Sequence, residues 1–196
     1  MSATQRRSQL IHVAKEVFAE VGYEATTIEE IAHRADVSKP VVYQHFGGKE
    51  GIYAVVVDRE VNALLTRITA NLDGVGRPRA MVHASALAFL DYLDEDPAGF
   101  KVLVRDTPAS LNQGELGGLL DDVADKAAQA LALFLAQSGR DPALAPLFAQ
   151  ALVGCIAQVG TWWDTNRTFT KAQVANYLTT MVFTGLANIP VELTAH

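Results

Sequence analysis

Apolar residues recur at intervals of three and four along almost the whole chain, which is the period of amphipathic α-helices. The first such segment runs from about Gln5 to Val21, and Gly22 follows it where glycine commonly ends a helix. Its apolar stripe consists of Leu10, Ala14, Val17, Phe18 and Val21. No segment shows the strict alternation of a half-buried strand, so the sequence predicts an all-α fold.

Residues that cap helices mark the next two starts. Thr27, followed three residues later by Glu30, fits a capping box and begins a second helix. Ser38, with Pro40 in the following turn, begins a third helix that ends near Phe46.

A long fourth helix begins at Lys49, and a break rich in glycine and proline follows it at residues 74–78. Residues 107–118 predict a loop or a weak helix start. The remaining helices are predicted at about 78–94, 97–106, 114–138, 142–165 and 170–187.

The two short helices at residues 27–35 and 38–46, separated by a tight turn, have the spacing of a helix-turn-helix. This motif needs a small residue where its helices pack and an apolar residue in its turn. Ala32 and Val37 meet these needs. The spacing therefore indicates a module that places its second helix in the major groove of DNA.

The third helix separates into an inward and an outward side. Val42 and Phe46 are four residues apart and predict the inward side. The residues left on or near the outward side are Lys39, Val41, Tyr43, Gln44 and His45. A cation, a methyl-bearing side chain and an amide suit guanine acceptors, thymine methyl groups and adenine, respectively.

Several stretches in residues 7–55 agree in order and spacing with one family. They are Ala14 with the run VFAEVGY at residues 17–23, TTIEEIA at 26–32, VSKPVVYQHF at 37–46, and Lys49 with Glu50. In these stretches the chain resembles the tetracycline-repressor (TetR) family of transcriptional regulators. The resemblance implies an N-terminal three-helix DNA-binding domain, joined by a long helix to a C-terminal helical bundle for ligand binding and dimerisation.

The same resemblance implies roles for individual residues. Positions matching contacts to the DNA backbone are Thr27, Tyr43, His45 and Lys49. Positions matching base-facing residues are Lys39, Val41 and Gln44, and we add Ser38 at the start of the third helix to the DNA-binding set. Arg6 and Arg7 either reach DNA as a basic arm or form a solvated terminus.

Two positions depart from the family pattern. Asp36 stands where glycine is usual, and aspartate tolerates a left-handed backbone better than most residues. Gly51 lies in the first turn of the long helix, where a larger residue is common, and we expect it to loosen that junction.

We assign residues 1–50 to the DNA-binding domain and residues 51–196 to ligand binding and dimerisation. The resemblance implies a small-molecule pocket in the middle helices and a homodimer formed through the last two. Small residues in the 142–165 helix suit such a seam or a tight core. The pocket candidates, each of which could instead be ordinary core, are Phe89, Tyr92, Phe100, Leu103, Leu131, Phe134, Gln158, Val159 and Trp162.

Composition limits the alternatives. The net charge is −6, but residues 1–50 carry six basic and seven acidic side chains, so most of the excess acidity lies behind them. DNA binding then requires the cations to gather on one face. A single cysteine, Cys155, and histidines without ligand spacing argue against a metal site, and we expect no cofactor. We expect a cytoplasmic protein without a signal peptide or membrane span.

The sequence therefore predicts a regulator, most simply a repressor, that binds a palindromic DNA operator as a homodimer and releases it with a small, mostly apolar effector. A transcriptional activator of the same fold is one alternative, and an adaptor that does not bind DNA is another. We predict that the protein is not an enzyme, because no phosphate loop, nucleophile elbow or paired catalytic carboxylates occur in the sequence.

Overall fold

The computed structural model describes residues 2–70, 78–104 and 115–187, and the regular structure in these ranges is helical, which confirms the all-α prediction. The predicted break at residues 74–77 and most of the loop predicted at 107–118 lie outside the described residues. The helices are α1 Ala3–Ala25, α2 Ile28–Arg34, α3 Lys39–Phe46, α4 Lys49–Ala70, α5 Pro78–Glu95, α6 Pro97–Val104, α7 Glu115–Gln137, α8 Ala145–Thr165 and α9 Lys171–Ala187, with a 3₁₀ turn Pro142–Leu144 before α8.

The described residues form two compact units. The N-terminal unit contains residues 2–63 and 96–104, so α6 belongs with α1 to α3. The C-terminal unit contains residues 64–70, 78–95 and 117–187. Helix α4 contributes its first part to one unit and its last two turns to the other.

The N-terminal unit is built on the apolar side of α1. Leu10, Ala14, Val17 and Phe18 are buried as the pattern predicts, whereas Val21 is 44% exposed. The prediction for Val21 was wrong because Gly22, at φ 82°, interrupts the helix and redirects the chain. A cluster of three rings continues the core, with Phe18, Tyr23 and Tyr53 at centroid separations of 4.8 to 6.1 Å.

Thr27 and Ser38 lie at the N-caps of α2 and α3 as predicted, but of these two only Thr27 makes a side-chain capping bond. The Thr27 hydroxyl accepts from the backbone N–H of Glu30 at 3.2 Å. The Glu30 carboxylate, which a capping box would return to Thr27, instead accepts from Nε of Arg34 at 2.6 Å. Asp96 caps α6 by accepting from the N–H of Gly99 at 2.9 Å. These local bonds fix the helix starts that the sequence indicated.

The C-terminal unit has two apolar cores. One joins α7 to α8 around Leu131, Leu135 and Val153. The other joins α5, α8 and α9 around Leu90 and Trp163 and includes Ala86, Val174, Ala175 and Leu178. Each large apolar side chain buried in this way stabilises the fold by about 1.5–3 kcal/mol.

Candidate nucleic-acid interface and effector cavity

Helices α2 and α3 meet in the tight turn that a helix-turn-helix requires. Asp36 has φ 53°, the left-handed conformation expected from its place in the family pattern. The backbone N–H of Val37 donates to the carbonyl of Ala32 at 3.0 Å. Ala32 and Val42 are buried, so the two helices pack through small and branched apolar side chains. The other side of α3 is left facing outward.

The outward side of α3 carries the predicted DNA-reading residues. Tyr43 is 53% exposed, and Lys39 and Gln44 are also exposed. Val41 and His45 are partly buried at its edges. Ser38 caps the helix by position, and its side chain makes no capping hydrogen bond. The structure thus gathers Ser38 and the predicted readers on one short helix.

Lys39 forms an exposed ion pair with Glu29 of α2. The hydrogen bond from Lys39 is the main reason that the Glu29 pKa lies below its ordinary value. The carboxylate stands beside the predicted DNA-reading residues and offsets the positive charge of Lys39 there. The sequence offers no local signal for the pair, because its partners are ten residues apart and lie on different helices.

Lys49 is held at the junction between α1 and α4. Its ammonium donates to the carbonyl of Tyr23 at 2.9 Å and to that of Glu24 at 3.2 Å, and lies 4.4 Å from the Tyr23 ring centroid. The Tyr23 hydroxyl donates to Oε1 of Glu50 at 3.1 Å. Burial first, and then this carboxylate, raise the pKa of Tyr23 to about 12. A lysine ammonium has three donors, so one remains beyond the two bonds to carbonyls.

Arg7 and Gln9 of α1 donate hydrogen bonds to backbone carbonyls of the helix-turn-helix. Nη1 of Arg7 donates to the carbonyl of His45 at 3.2 Å, and its guanidinium lies 4.5 Å from the Phe46 ring centroid. Nε2 of Gln9 donates to the carbonyl of Ala35 at 3.2 Å. Arg7 therefore braces the end of α3, a role the sequence analysis did not foresee because the partners are 38 residues apart.

Gly51 fits α4 closely against α3, contrary to our expectation that it loosens the junction. A Cβ atom at this position would overlap the carbonyl oxygen of Phe46 and lie 3.1 Å from its carbonyl carbon. Both atoms belong to the backbone and cannot rotate away. The absence of a side chain at Gly51 is therefore what permits this helix junction.

A network of three charged side chains, of which Glu60 is buried, lies in the same unit as the motif. Nζ of Lys15 is 2.6 Å from Oδ2 of Asp96 and 3.4 Å from Oε1 of Glu60. Burial alone would lower the pKa of Lys15, but the hydrogen bond to Asp96 and the charge of Glu60 raise it overall. Burial likewise opposes ionisation of Asp96, and the bond from Lys15 outweighs it, so the Asp96 pKa is lowered. The network ties α1, α4 and the start of α6 together.

The C-terminal unit contains a cavity with almost entirely apolar walls. The volume of this cavity is about 90 Å³. Among the described residues that line it, none is charged and Ser85 alone carries a hydroxyl group. The lining side chains come from the end of α4 and from α5, α7 and α8, and include Leu64, Ile68, Met81, Val82, Phe89 and Leu131. Such a surface can take up an uncharged apolar molecule.

The structure brings only some of the predicted pocket residues to this cavity. Phe89 and Leu131 line it. Phe100 and Leu103 are buried in the other unit, on α6. The remaining candidates do not line it: Tyr92 is buried, Phe134 and Val159 are partly buried, and Gln158 and Trp162 are exposed. Ser85 and Met81 were missed, because helical periodicity marks them only as core positions.

Helices α8 and α9 expose apolar side chains. Leu147 is 64% exposed, Trp162 46%, Tyr177 65% and Met181 56%. The segment Pro142–Thr165 is long and apolar enough to cross a membrane, and 28% of an 18-residue apolar stretch within it is buried. One such helix is weak support for a membrane span, because soluble helical proteins contain similar segments. The described residues hold no group of three or more side chains arranged to bind a metal ion.

The fold and the arrangement of α2 and α3 are those of helix-turn-helix DNA-binding regulators. The sequence profile of bacterial regulatory proteins of the tetR family matches residues 10–56. The profile of the tetracyclin repressor-like C-terminal domain matches residues 78–185. The chain belongs to the TetR family.

Individual relatives support this assignment. The HTH-type transcriptional activator FasR of Mycolicibacterium smegmatis is 29% identical over 189 residues, which are 95% of this chain and 85% of FasR. The icaADBC negative transcriptional regulator IcaR of Staphylococcus aureus is 24% identical over 132 residues, 67% of this chain and 70% of IcaR. The fatty acid degradation regulator FadR of Bacillus halodurans shares the fold at a TM-score of 0.78 and 18% identity, over 92% of this chain and 96% of FadR. The protein is thus a transcriptional regulator and not an enzyme.

Proposed function

We propose that this regulator is a cytoplasmic, ligand-responsive repressor that binds a palindromic operator as a homodimer. The observation that carries the proposal is the exposed side of α3, held in a helix-turn-helix whose turn is braced by Gln9 and whose end is braced by Arg7. One short helix reads few base pairs, so useful specificity needs two copies about 34–36 Å apart.

Base recognition is assigned to three residues of α3. Lys39 addresses guanine acceptors, Val41 a thymine methyl group and Gln44 adenine. Tyr43 donates its hydroxyl to a phosphate, which its 53% exposure permits. Ser38 contributes a second hydroxyl at the start of the helix.

Contacts to the DNA backbone flank this helix. Thr27 and Lys49 stand at the starts of α2 and α4, where the helix dipole favours a phosphate. The third N–H donor of Lys49 is left for such a contact, because the other two bond to carbonyls of α1. His45 completes the set beside Tyr43.

The exposed apolar side chains of α8 and α9 support a homodimer through these helices. Gly185 has open space where a Cβ atom would lie, so another helix could approach closely there. Together with the exposed Trp162, Tyr177 and Met181, it forms a surface suited to a second copy of the chain. A dimer interface also accounts for the apolar character of α8 without a membrane.

The cavity of the C-terminal unit is the proposed effector site. Helix α4 carries Lys49 at its first residue and Leu64 and Ile68 in the cavity wall. An effector that prefers a shifted α4 therefore changes the spacing of the two DNA-binding units. A coupling free energy of about 1–3 kcal/mol changes operator affinity by roughly 5–150-fold.

Activation is the second candidate outcome of operator binding. It is favoured by FasR, which aligns over nearly the whole chain and is named an activator. Both outcomes use the same contacts to DNA, and they differ in where the operator lies relative to the promoter. An adaptor without DNA binding is disfavoured, because Lys39, Tyr43 and Gln44 are present and exposed.

Selection of bound duplexes from a random pool tests the proposal. We expect enrichment of a palindrome with half-sites about one helical turn apart. Affinity for the enriched duplex should fall steeply with salt. Placing that site upstream of, or overlapping, a reporter promoter separates activation from repression. A folded protein that enriches no sequence above background would contradict operator binding and favour the adaptor.

A further inference from the structure

Gly160 of α8 contacts Phe89 of α5, and Phe89 lines the cavity of the C-terminal unit. A Cβ atom on Gly160 would overlap Cε1 of Phe89 and lie 2.9 Å from Cδ1 and 3.3 Å from Cζ. Both residues are buried, and Phe89 is only 5% exposed. The ring therefore rests directly on the glycine. By contrast, a Cβ atom on Gly154 of the same helix would meet nothing within 4 Å.

Phe89 also lines the cavity, where it is the single aromatic ring among the described lining residues. The position of this ring thus sets how far the cavity extends between α5 and α8. A methyl group at residue 160 would force the ring to move. Protein interiors are close-packed, so the direction open to the ring is the empty space of the cavity.

We infer that Gly160 determines the size of effector this regulator accepts, because the glycine lets Phe89 withdraw from the cavity toward α8. The inference rests on the proposed effector site. The matching ligand class is an uncharged, mainly aliphatic molecule, since the lining is aliphatic apart from Phe89 and the Ser85 hydroxyl. With alanine at residue 160, the cavity is shorter and selects smaller ligands.

Binding of a neutral fluorescent probe, N-phenyl-1-naphthylamine, and its displacement by straight-chain alkan-1-ols of six to twelve carbons test this inference. We expect Gly160→Ala to weaken the probe about tenfold and to shift the best competitor to a shorter chain by about two carbons, which is the order expected from the energy of burying two methylene groups. Gly154→Ala is the matched control and should keep the chain-length preference of the native protein.

A double substitution separates the displaced ring from general damage. In the Phe89→Leu background there is no ring to displace, so adding Gly160→Ala should change probe affinity less than about twofold. Phe89→Leu alone should move the preference to longer alcohols, which keeps the inference testable if Gly160→Ala does not fold. Melting temperature and oligomeric mass of each variant are measured in parallel.

The outcomes distinguish this inference from the effector site itself. If the native protein does not bind the probe, or if filling the cavity by Ala130→Leu leaves binding unchanged, the proposed effector site is wrong. If Ala130→Leu weakens the probe while Gly160→Ala behaves as Gly154→Ala does, the effector site stands and the role of Gly160 is overturned. An unchanged chain-length preference in Phe89→Leu would overturn it as well.

Discussion

The two units of this chain are stabilised by different kinds of contact. In the N-terminal unit, polar side chains cross between helices and bond to backbone carbonyls, as Arg7 does to His45 and Lys49 to Tyr23. In the C-terminal unit, the helices pack through apolar cores, and ion pairs such as Lys171 with Asp91 lie on the exterior.

This difference agrees with the function proposed for each unit. Hydrogen bonds are directional, so they hold α3 in one orientation for reading DNA. Aliphatic packing has no preferred direction, so the walls of a cavity can shift when an effector enters.

Gly51→Ala should disrupt the N-terminal unit most. The added Cβ atom overlaps the backbone carbonyl of Phe46, so α3 and α4 must separate. We expect a loss of about 3 kcal/mol in the free energy of unfolding, measured by urea denaturation, and loss of DNA binding. Gly154→Ala is the control, and it should leave stability unchanged or raise it by up to about 1 kcal/mol. Equal free energies of unfolding for Gly51→Ala and Gly154→Ala would show that the junction of α3 and α4 accommodates the added methyl group.

Lys15→Met should cost about 2 kcal/mol, because it removes the cation between two carboxylates of which Glu60 is nearly buried. The pKa of Asp96 is lowered in the folded state, so its contribution is present above the unfolded-state pKa and is lost as pH falls through the folded-state value. The raised pKa of Lys15 makes its contribution present below the unfolded-state pKa, and lost as pH rises through the folded-state value.

Urea denaturation midpoints measured between pH 2 and 7 test the predicted loss of stability on acidification. The native protein should lose stability on acidification more steeply than Lys15→Met, because the variant lacks the cation that lowers the Asp96 pKa. Parallel curves for the two proteins would contradict the role assigned to the network.

Glu29→Gln should strengthen DNA binding several-fold, because it frees Lys39 and removes a negative charge beside the phosphate-facing surface. The gain should shrink as salt rises. Titration of one duplex at two salt concentrations measures it, with Asp122→Gln on exposed α7 as the charge-matched control. Unchanged affinity at low salt would mean that Lys39 does not reach DNA.

Lys171→Ala should have the smallest effect. Lys171 pairs with Asp91 and Asp94 at 2.6 and 3.1 Å, but all three side chains are at least one-third exposed. Exposed pairs contribute little, so the melting temperature should fall by less than about 2 °C. If Lys171→Ala lowers the melting temperature as much as Lys15→Met does, the exposed ion pairs of Lys171 stabilise the protein as much as the network of Lys15, contrary to this prediction.

The sequence predicted the features that depend on local signals. Thr27 and Ser38 lie at the N-caps of their helices as predicted, and the helices begin within a few residues of the predicted starts. The DNA-binding candidates between Lys39 and His45 could be chosen because they share one short helix with an apolar inward side.

Features that join distant residues could not be predicted. Lys15 and Asp96 are 81 residues apart, and Gly160 meets Phe89 from another helix. Periodicity identifies a residue as core but not which neighbour it contacts, so the lining of the cavity could not be chosen from the sequence. Gly51 was misread for the same reason, because its missing side chain matters only against the carbonyl of Phe46.

The most direct test of the account is the affinity of three proteins for the enriched duplex: native, Tyr43→Phe and Tyr43→Ala. We predict a modest loss for Tyr43→Phe and a loss of at least about tenfold for Tyr43→Ala, with unchanged melting temperatures because Tyr43 is exposed. Lys101→Ala, on the exposed side of α6, should bind as the native protein does. If Tyr43→Ala binds the duplex as tightly as the native protein, then α3 does not read DNA through the side assigned to it.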